Sequence, residues 1–234
     1  IVNLDETRAE IGAGSNVRAQ AADAGVKGTV DSKQDSANVS VSAGASTGTA
    51  GVGGVLGVMV SLNKTEASIG SGATVKSQGD LAVTADNETV AVMVSGGIGA
   101  AKEAGVGAAI AANVMANKTL ASIGDDAVVD AAKQMTVAAD ADENAVSVTV
   151  AGAGGGKVGV AGAISMNVIL SDTEASVGQG AKLNTDAAWA PITGSSNQSV
   201  AITAHDDTVV VGVGGGVAGA GKVGVGAAAD TTVL

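Results

Sequence analysis

One seven-residue phrase recurs four times at a nearly fixed distance: ETRAEIG (6–12), KTEASIG (64–70), KTLASIG (118–124) and DTEASVG (172–178). Counted on Thr7, Thr65, Thr119 and Thr173, the successive steps are 58, 54 and 54. A period of this size marks a repeat architecture, in which each unit buries its apolar face only against its neighbours. The copies are imperfect. From Gly51 to Gly105 to Gly159 the step is 54, but from Gly159 to Gly224 it is 65. The eleven extra residues fall in the stretch DAAWAPITGSS (186–196), and about four more lie around residues 21–28. The units run approximately 1–50, 51–104, 105–158 and 159–223, with 224–234 opening another. Both ends cut the pattern in mid-unit, as expected of a segment of a longer protein.

Within the phrase the residues alternate. Thr65, Ala67 and Ile69 share one side while Glu66 and Ser68 share the other, and the remaining copies repeat this division. Period two, with β-branched residues on one side, predicts a half-buried strand. The glycine that follows (Gly70, Gly124 or Gly178) is expected to turn the chain, because glycine tolerates positive φ. Ala73 and Val75 alternate in the same way, as do Leu81, Val83 and Ala85, with counterparts at Met135, Val137, Ala139 and at Val200, Ile202, Ala204. The glycine-rich third of each unit supplies Val90, Val92, Val94 and then Val106, Ala108, Ile110, Ala112, Val114. These valines are expected to point inward. No ten-residue stretch keeps a period of 3.6, so helix is not predicted.

The expectation is an all-β parallel β-helix, a β-solenoid, with each repeat unit divided into three coils of about 18 residues. On a ladder spacing of about 4.8 Å that gives about 13 coils and a rod of roughly 60 Å. Two other layouts compete. VSVTVAGAGGGKVGVAGAISM is nearly symmetrical about Gly155 and would suit a hairpin. A transmembrane barrel also alternates, but it needs aromatic girdles, and the chain has no Phe or Tyr and one Trp.

Composition narrows the function. A content of 46% hydrophobic residues with strong alternation argues against disorder. The net charge of −11, with no basic stripe, argues against nucleic acid as a partner. The absence of cysteine excludes disulfides and Cys-ligated zinc. A single histidine, His205, cannot build a catalytic triad or a His-rich metal site, so no catalytic residue, metal or cofactor is expected. Three acidic clusters recur at one place in the unit: Asp86, Asn87, Glu88; Asp140, Asp142, Glu143; and His205, Asp206, Asp207. Calcium favours such oxygens, but three intervening coils would hold equivalent clusters about 14 Å apart, so they are expected to be solvated turns. Runs such as GVGGG (212–216) lack the GK[ST] of a phosphate loop, and Lys102, Lys157 and Lys222 are expected at exposed tips.

Two further sets of residues qualify as contact or modification points. N-x-S/T triplets at Asn38, Asn63, Asn87, Asn117 and Asn197 are formal glycosylation acceptors, with Asn63, Asn87 and Asn117 lying on the repeated pattern. The inserted loop 186–196 carries Trp189 and Pro191 and is the candidate partner-contact loop, since an exposed tryptophan is a common binding anchor. The competing expectation for Trp189 is that it folds back over an apolar edge.

The stretch NKTEASIGSGATVKSQGDLAVTADN, followed by an alternating Val/Ala strand and GVGAAIAANV, resembles the repeats of large secreted bacterial exoproteins. These are filamentous-haemagglutinin-like adhesins and the related fusobacterial leukotoxin, exported by two-partner secretion or autotransport. The resemblance covers essentially the whole chain and implies a right-handed parallel β-helix at the cell surface. It also implies a receptor on a host or neighbouring cell and an outer-membrane secretion partner for the parent protein. The expected role is a structural stalk segment of an adhesin. The alternative is a segment of a leukotoxin-like cytotoxin, and a third is a polysaccharide-acting β-helix enzyme. That last reading is disfavoured by the lack of aromatic sugar platforms. A solenoid fragment with open ends is also expected to associate end to end.

Overall fold

The computed structural model describes residues 1–19, 27–186 and 198–234, and these contain strands and turns without helix. In chain order the strands are β1 (Val2–Ile11), β2 (Asn16–Ala19), β3 (Lys27–Ile69), β4 (Thr74–Ser77), β5 (Asp80–Ile123) and β6 (Val128–Ala131). They continue with β7 (Gln134–Gly155), β8 (Val158–Val177), β9 (Lys182–Leu183), β10 (Ser199–Ala220) and β11 (Val223–Val233). Every ladder is parallel. One sheet runs β1-β3-β5-β7-β10, with β8 paired to β5 and to β11, and a second runs β2-β4-β6-β9.

The register explains the repeat. Thr65 pairs with Thr7 on one side and Thr119 on the other, and Thr119 pairs in turn with Thr173. Each residue is thus hydrogen-bonded to its own equivalent one whole repeat away. No ladder among the described residues joins positions a third of a repeat apart, in contrast to the expected three coils per unit. Each repeat contributes one layer to the stack, so four repeats rise only about 20 Å, against the roughly 60 Å expected.

A whole repeat fits into one layer because it forms a long arch on a three-sided base. In the second full layer the chain runs out along residues 80–101, turns at Lys102 and Glu103, and returns along 104–123. These two legs do not pair with each other. The outgoing leg pairs with β3 and β7, and the return leg with β3 and β8. They meet through side-chain faces, as where Ser147 Oγ lies 2.6 Å from Ser165 Oγ. The symmetry about Gly155 therefore encodes an arch and not the hairpin that the sequence also allowed.

The base is apolar. Leu81, Val83 and Ala85 on the outgoing leg, Ala121 and Ile123 on the return leg, and Val75 and Val129 on β4 and β6 pack into one buried cluster. Thr65, Ala67 and Ile69 are buried as the alternation predicts, and Ser68, expected outside, is buried as well. Val200, Ile202 and Ala204 hold the equivalent positions in β10, whose layer is stacked on one side only, and they remain partly or largely exposed.

Along the legs the expected faces invert. Leu81, Val83 and Ala85 fix the inward parity, and β5 continues without a bulge, so Ala91, Met93, Ser95, Gly97 and Gly99 follow them inward. The valines stand on the other parity. Val94, Ile98, Val106 and Ile110 are exposed on the outside of the arch. The reason is space. A Cβ built on Gly97 would land on the carbonyl oxygen of Ala108, and one on Gly99 on that of Val106. Near the tip the legs approach to backbone contact, and the inward positions there are mostly glycine and alanine. Farther in, the gap widens enough for Met59, Met93 and Met115, which are fully buried.

The signature glycines are also explained by space. Positive φ falls two residues later, at Gly14, Gly72, Asp126 and Gly180. A Cβ on Gly70 would sit 2.6 Å from Ala13 N, and one on Gly124 would sit 2.6 Å from Ser71 N. The corner is too tightly stacked for a side chain there.

Candidate functional sites: a buried polar seam and two apolar wing faces

Between the apolar base and the arch lies a seam of buried polar side chains. It is built by parity, since the positions that continue inward from Ala85 and Ala121 are occupied by Asn87, Thr89, Thr119 and Asn117. Asn63 Nδ2 donates to Thr89 Oγ1 at 2.8 Å, and Thr65 Oγ1 donates to Gln34 Oε1 at 3.1 Å. One layer up, Glu143 occupies the place of Thr89. Its Oε1 accepts from Asn117 Nδ2 at 3.1 Å and from Ser171 Oγ at 3.0 Å, and its Oε2 accepts from Thr208 Oγ1 at 3.1 Å. Gln34 Nε2, Asn87 Nδ2 and Thr119 Oγ1 make no hydrogen bond among the described residues.

Burial pushes the Glu143 carboxyl above the usual carboxylate range, and the nearby Asp206 charge adds to the shift. The hydrogen bonds from Asn117, Ser171 and Thr208 oppose it. Burial also acts to raise Asp206, but hydrogen bonds from Ser171, Thr173, Thr208 and Glu143 outweigh it and leave that group below its ordinary value. The two neighbouring carboxyl groups are thus shifted apart, Glu143 upward and Asp206 downward. Sequence reasoning placed Glu143 in a solvated turn. Its parity with Val137 and Ala139 was the signal that it faces inward.

A second buried charge lies at the β6 corner. Lys76 and Asp130 are ladder partners, with Nζ and Oδ2 3.3 Å apart and Asp130 fully buried. Asp130 Oδ1 accepts from the backbone N–H of Thr185 at 2.9 Å and of Asp186 at 3.2 Å, while Lys76 also pairs with Asp186. These contacts anchor the root of the inserted loop. Lys76 and Asp130 are one period apart, and division of the unit into three coils hid that adjacency.

Other expected site residues are distributed as follows. Asn63, Asn87 and Asn117 are buried in the seam, so their amides are inaccessible to a glycosylating enzyme once the chain is folded. Trp189, Pro191 and Asn197 lie outside the described residues. The acidic clusters belong to continuous strands and not to turns, and equivalent members are immediate ladder partners: Glu88 with Asp142, and Asp142 with Asp207. The separation of about 14 Å expected between copies is replaced by one strand spacing of about 4.8 Å. Among the described residues no group of three His, Cys, Asp or Glu side chains is placed to hold a metal ion. His205 is exposed on β10, the run 212–216 lines the inside and outside of an arch leg, and Lys102, Lys157 and Lys222 are exposed at the tips.

The two outer faces of the arch form the remaining feature. On the outgoing legs, the outward positions from Val90 to Ala100, and their equivalents in the other layers, carry no charge. The return legs show the same uncharged belt from Ala104 to Ala116. Charges frame both belts, with lysines at the tip and a dense charged row at the base. No family model, no curated protein and no solved structure matches this chain.

Proposed function

We propose that this chain is a scaffold segment of a secreted bacterial surface adhesin, wound as a right-handed β-solenoid and serving host-cell or cell–cell attachment. The observation that carries the reading is the ladder itself. Every repeat is hydrogen-bonded in register to the next along more than one leg, so the repetition is spent on architecture. No catalytic role, metal or cofactor enters the proposal. The receptor is a protein or glycan on the facing cell, and the parent protein leaves the bacterium through an outer-membrane partner.

The geometry shifts the emphasis within that role. A layer uses a whole repeat to gain about 4.8 Å, which makes this segment an inefficient spacer and a generous surface. Its contribution is breadth, a repeated wing on each layer, more than reach.

The test is attachment of bacteria displaying the parent protein to epithelial monolayers under flow, with and without residues 1–234 and with display levels matched. Attachment is expected to fall severalfold without the segment. Unchanged attachment at matched display overturns the proposal. Lysis of the monolayer by the purified parent moves the assignment to the leukotoxin-like cytotoxin.

A further inference from the structure

The outgoing-leg face is the surface of this molecule that its own fold leaves least explained. Across four layers its outward residues are Val39 and Val41, Val94 and Ile98, Val148 and Val150, and Val211 and Val213. Val41 is 73% exposed and Ile98 56%. Four layers at about 4.8 Å and eleven residues at about 3.3 Å give a flat apolar face of about 700 Å². The largest apolar patch of an ordinary monomer is about 300–600 Å², and a stable interface takes about 800 Å² from each partner. The area therefore suits a partner of the same kind: another flat β face.

Charge at the two borders says which partner. At the base of this face stand Asp35, Asp86, Glu88, Asp140, Asp142 and Asp207, against a single lysine, Lys33, which pairs with Asp35 and Asp86. At the tip, Lys102 and Lys222 have no ion-pair partner among the described residues, while Lys157 pairs with Glu103. The face is thus acidic at one border, apolar in the middle and basic at the other. Turned over by a two-fold axis through its middle, it is complementary to itself. The return-leg face lacks this property, because Lys64 pairs with Glu6 and Lys118 with Asp172 at its base.

We propose that the outgoing-leg faces of two copies of this chain pack against each other, antiparallel, with the tip lysines of each over the acidic row of the other. The axis passes close to Val150, and the two sheets stack at about 10 Å with their valines interdigitated. A lipid bilayer also covers apolar strands, but the acidic row and the tip lysines that border this face meet opposite charge in a second copy and none in a hydrocarbon layer. The inference does not rest on the adhesin reading.

Sedimentation of the whole chain over a hundredfold concentration range tests it. A monomer–dimer equilibrium is expected, weakened at least tenfold by Ile98→Lys and by Val150→Lys. Both side chains are exposed, so circular dichroism should remain unchanged. Lys102→Glu with Lys222→Glu should weaken the dimer at low salt, and mixing that variant with Glu88→Lys/Asp207→Lys should restore it. The chain has no cysteine, so single-cysteine variants give a readout that survives any loss of affinity. Val150→Cys should crosslink to its mate through a short bis-maleimide reagent, and Val160→Cys on the return leg should not. A monomer at all concentrations overturns the proposal. Self-association indifferent to Ile98→Lys also overturns it, in favour of end-to-end joining through open ladder edges. Co-flotation of monomers with phosphatidylcholine vesicles overturns it in favour of lipid.

Discussion

At the scale of single residues, two positions separate space from conformation. Asp126 holds the corner position filled by glycine in the other copies, with φ of 55° against 67° at Gly72. Aspartate tolerates this region better than most residues but not without cost. Asp126→Gly is therefore expected to leave stability within about 1 kcal/mol, while Gly72→Ala costs about 1 kcal/mol or more in denaturant melts. Gly97→Ala should cost more, about 1–3 kcal/mol, because its Cβ would collide with rigid backbone across the arch. Glu143 adds a pH dependence with a definite sign. Its folded pKa lies above the ordinary 4.5, so its contribution is complete below about pH 4.5 and is lost as pH rises through the folded value. Asp206 acts oppositely, its contribution present above 3.8 and lost as pH falls through the lowered folded value. Glu143→Gln keeps an acceptor for Asn117 and removes the buried charge. Its melting temperature should exceed that of the wild type at about pH 8, with the gap closing toward about pH 4. A wild-type advantage at the alkaline end would mean that the carboxylate is better solvated than its burial implies.

At the scale of the element, the leg of the arch carries the main lesson about what the sequence reveals. The period-two alternation predicted strands correctly throughout the base, where Leu81, Val83 and Ala85 are both the most apolar residues and the inward ones. From Val90 onward the bulky residues change parity while the backbone does not. Hydrophobicity alone then points the wrong way, because toward the tip the inside leaves little room beyond glycine and alanine, and there the steric limit prevails over burial. The change of parity between Ala85 and Val90 was visible in the sequence. The absence of a bulge that would compensate it was not. Adjacent residues on the return leg turn this into a test. Ile110 is exposed, and Ile110→Asp should change stability by no more than about 0.5 kcal/mol. Ala111 is fully buried, and Ala111→Asp should cost several kcal/mol by placing a charge between the legs. If urea melts rank the two variants the other way, the faces of the leg are reversed.

At the scale of the whole molecule, the sequence carried the period but not how the chain uses it. The heptapeptide copies identified the repeat as the structural unit, and parallel stacking followed from the alternation. Whether one unit makes one layer or three depends on how far a leg runs before it turns, and glycine is too common here to mark the tips. Consequently the proximity of Lys76 to Asp130, and of Glu88 to Asp142, was hidden until the register was known. The one-layer arrangement makes a sharp prediction about deletion. Asp80 and Gln134 occupy the same ladder position, so removing residues 80–133 joins Gly79 to Gln134 in the geometry that Gly79 already has with Asp80. β3 can then pair with β7 and β8 as it does with β5, and a shorter stack survives. In a nearest-neighbour stack that loss removes one layer and one interface, so the urea m-value should fall by about a quarter while unfolding stays cooperative. Removing only residues 80–97, a third of the repeat, instead cuts one leg of a single arch. It leaves the return leg without a facing partner and shifts every later inward residue away from its place. That variant is expected to lose its cooperative transition. Were each coil only a third of a repeat long, both deletions would preserve the stack and both proteins would melt cooperatively.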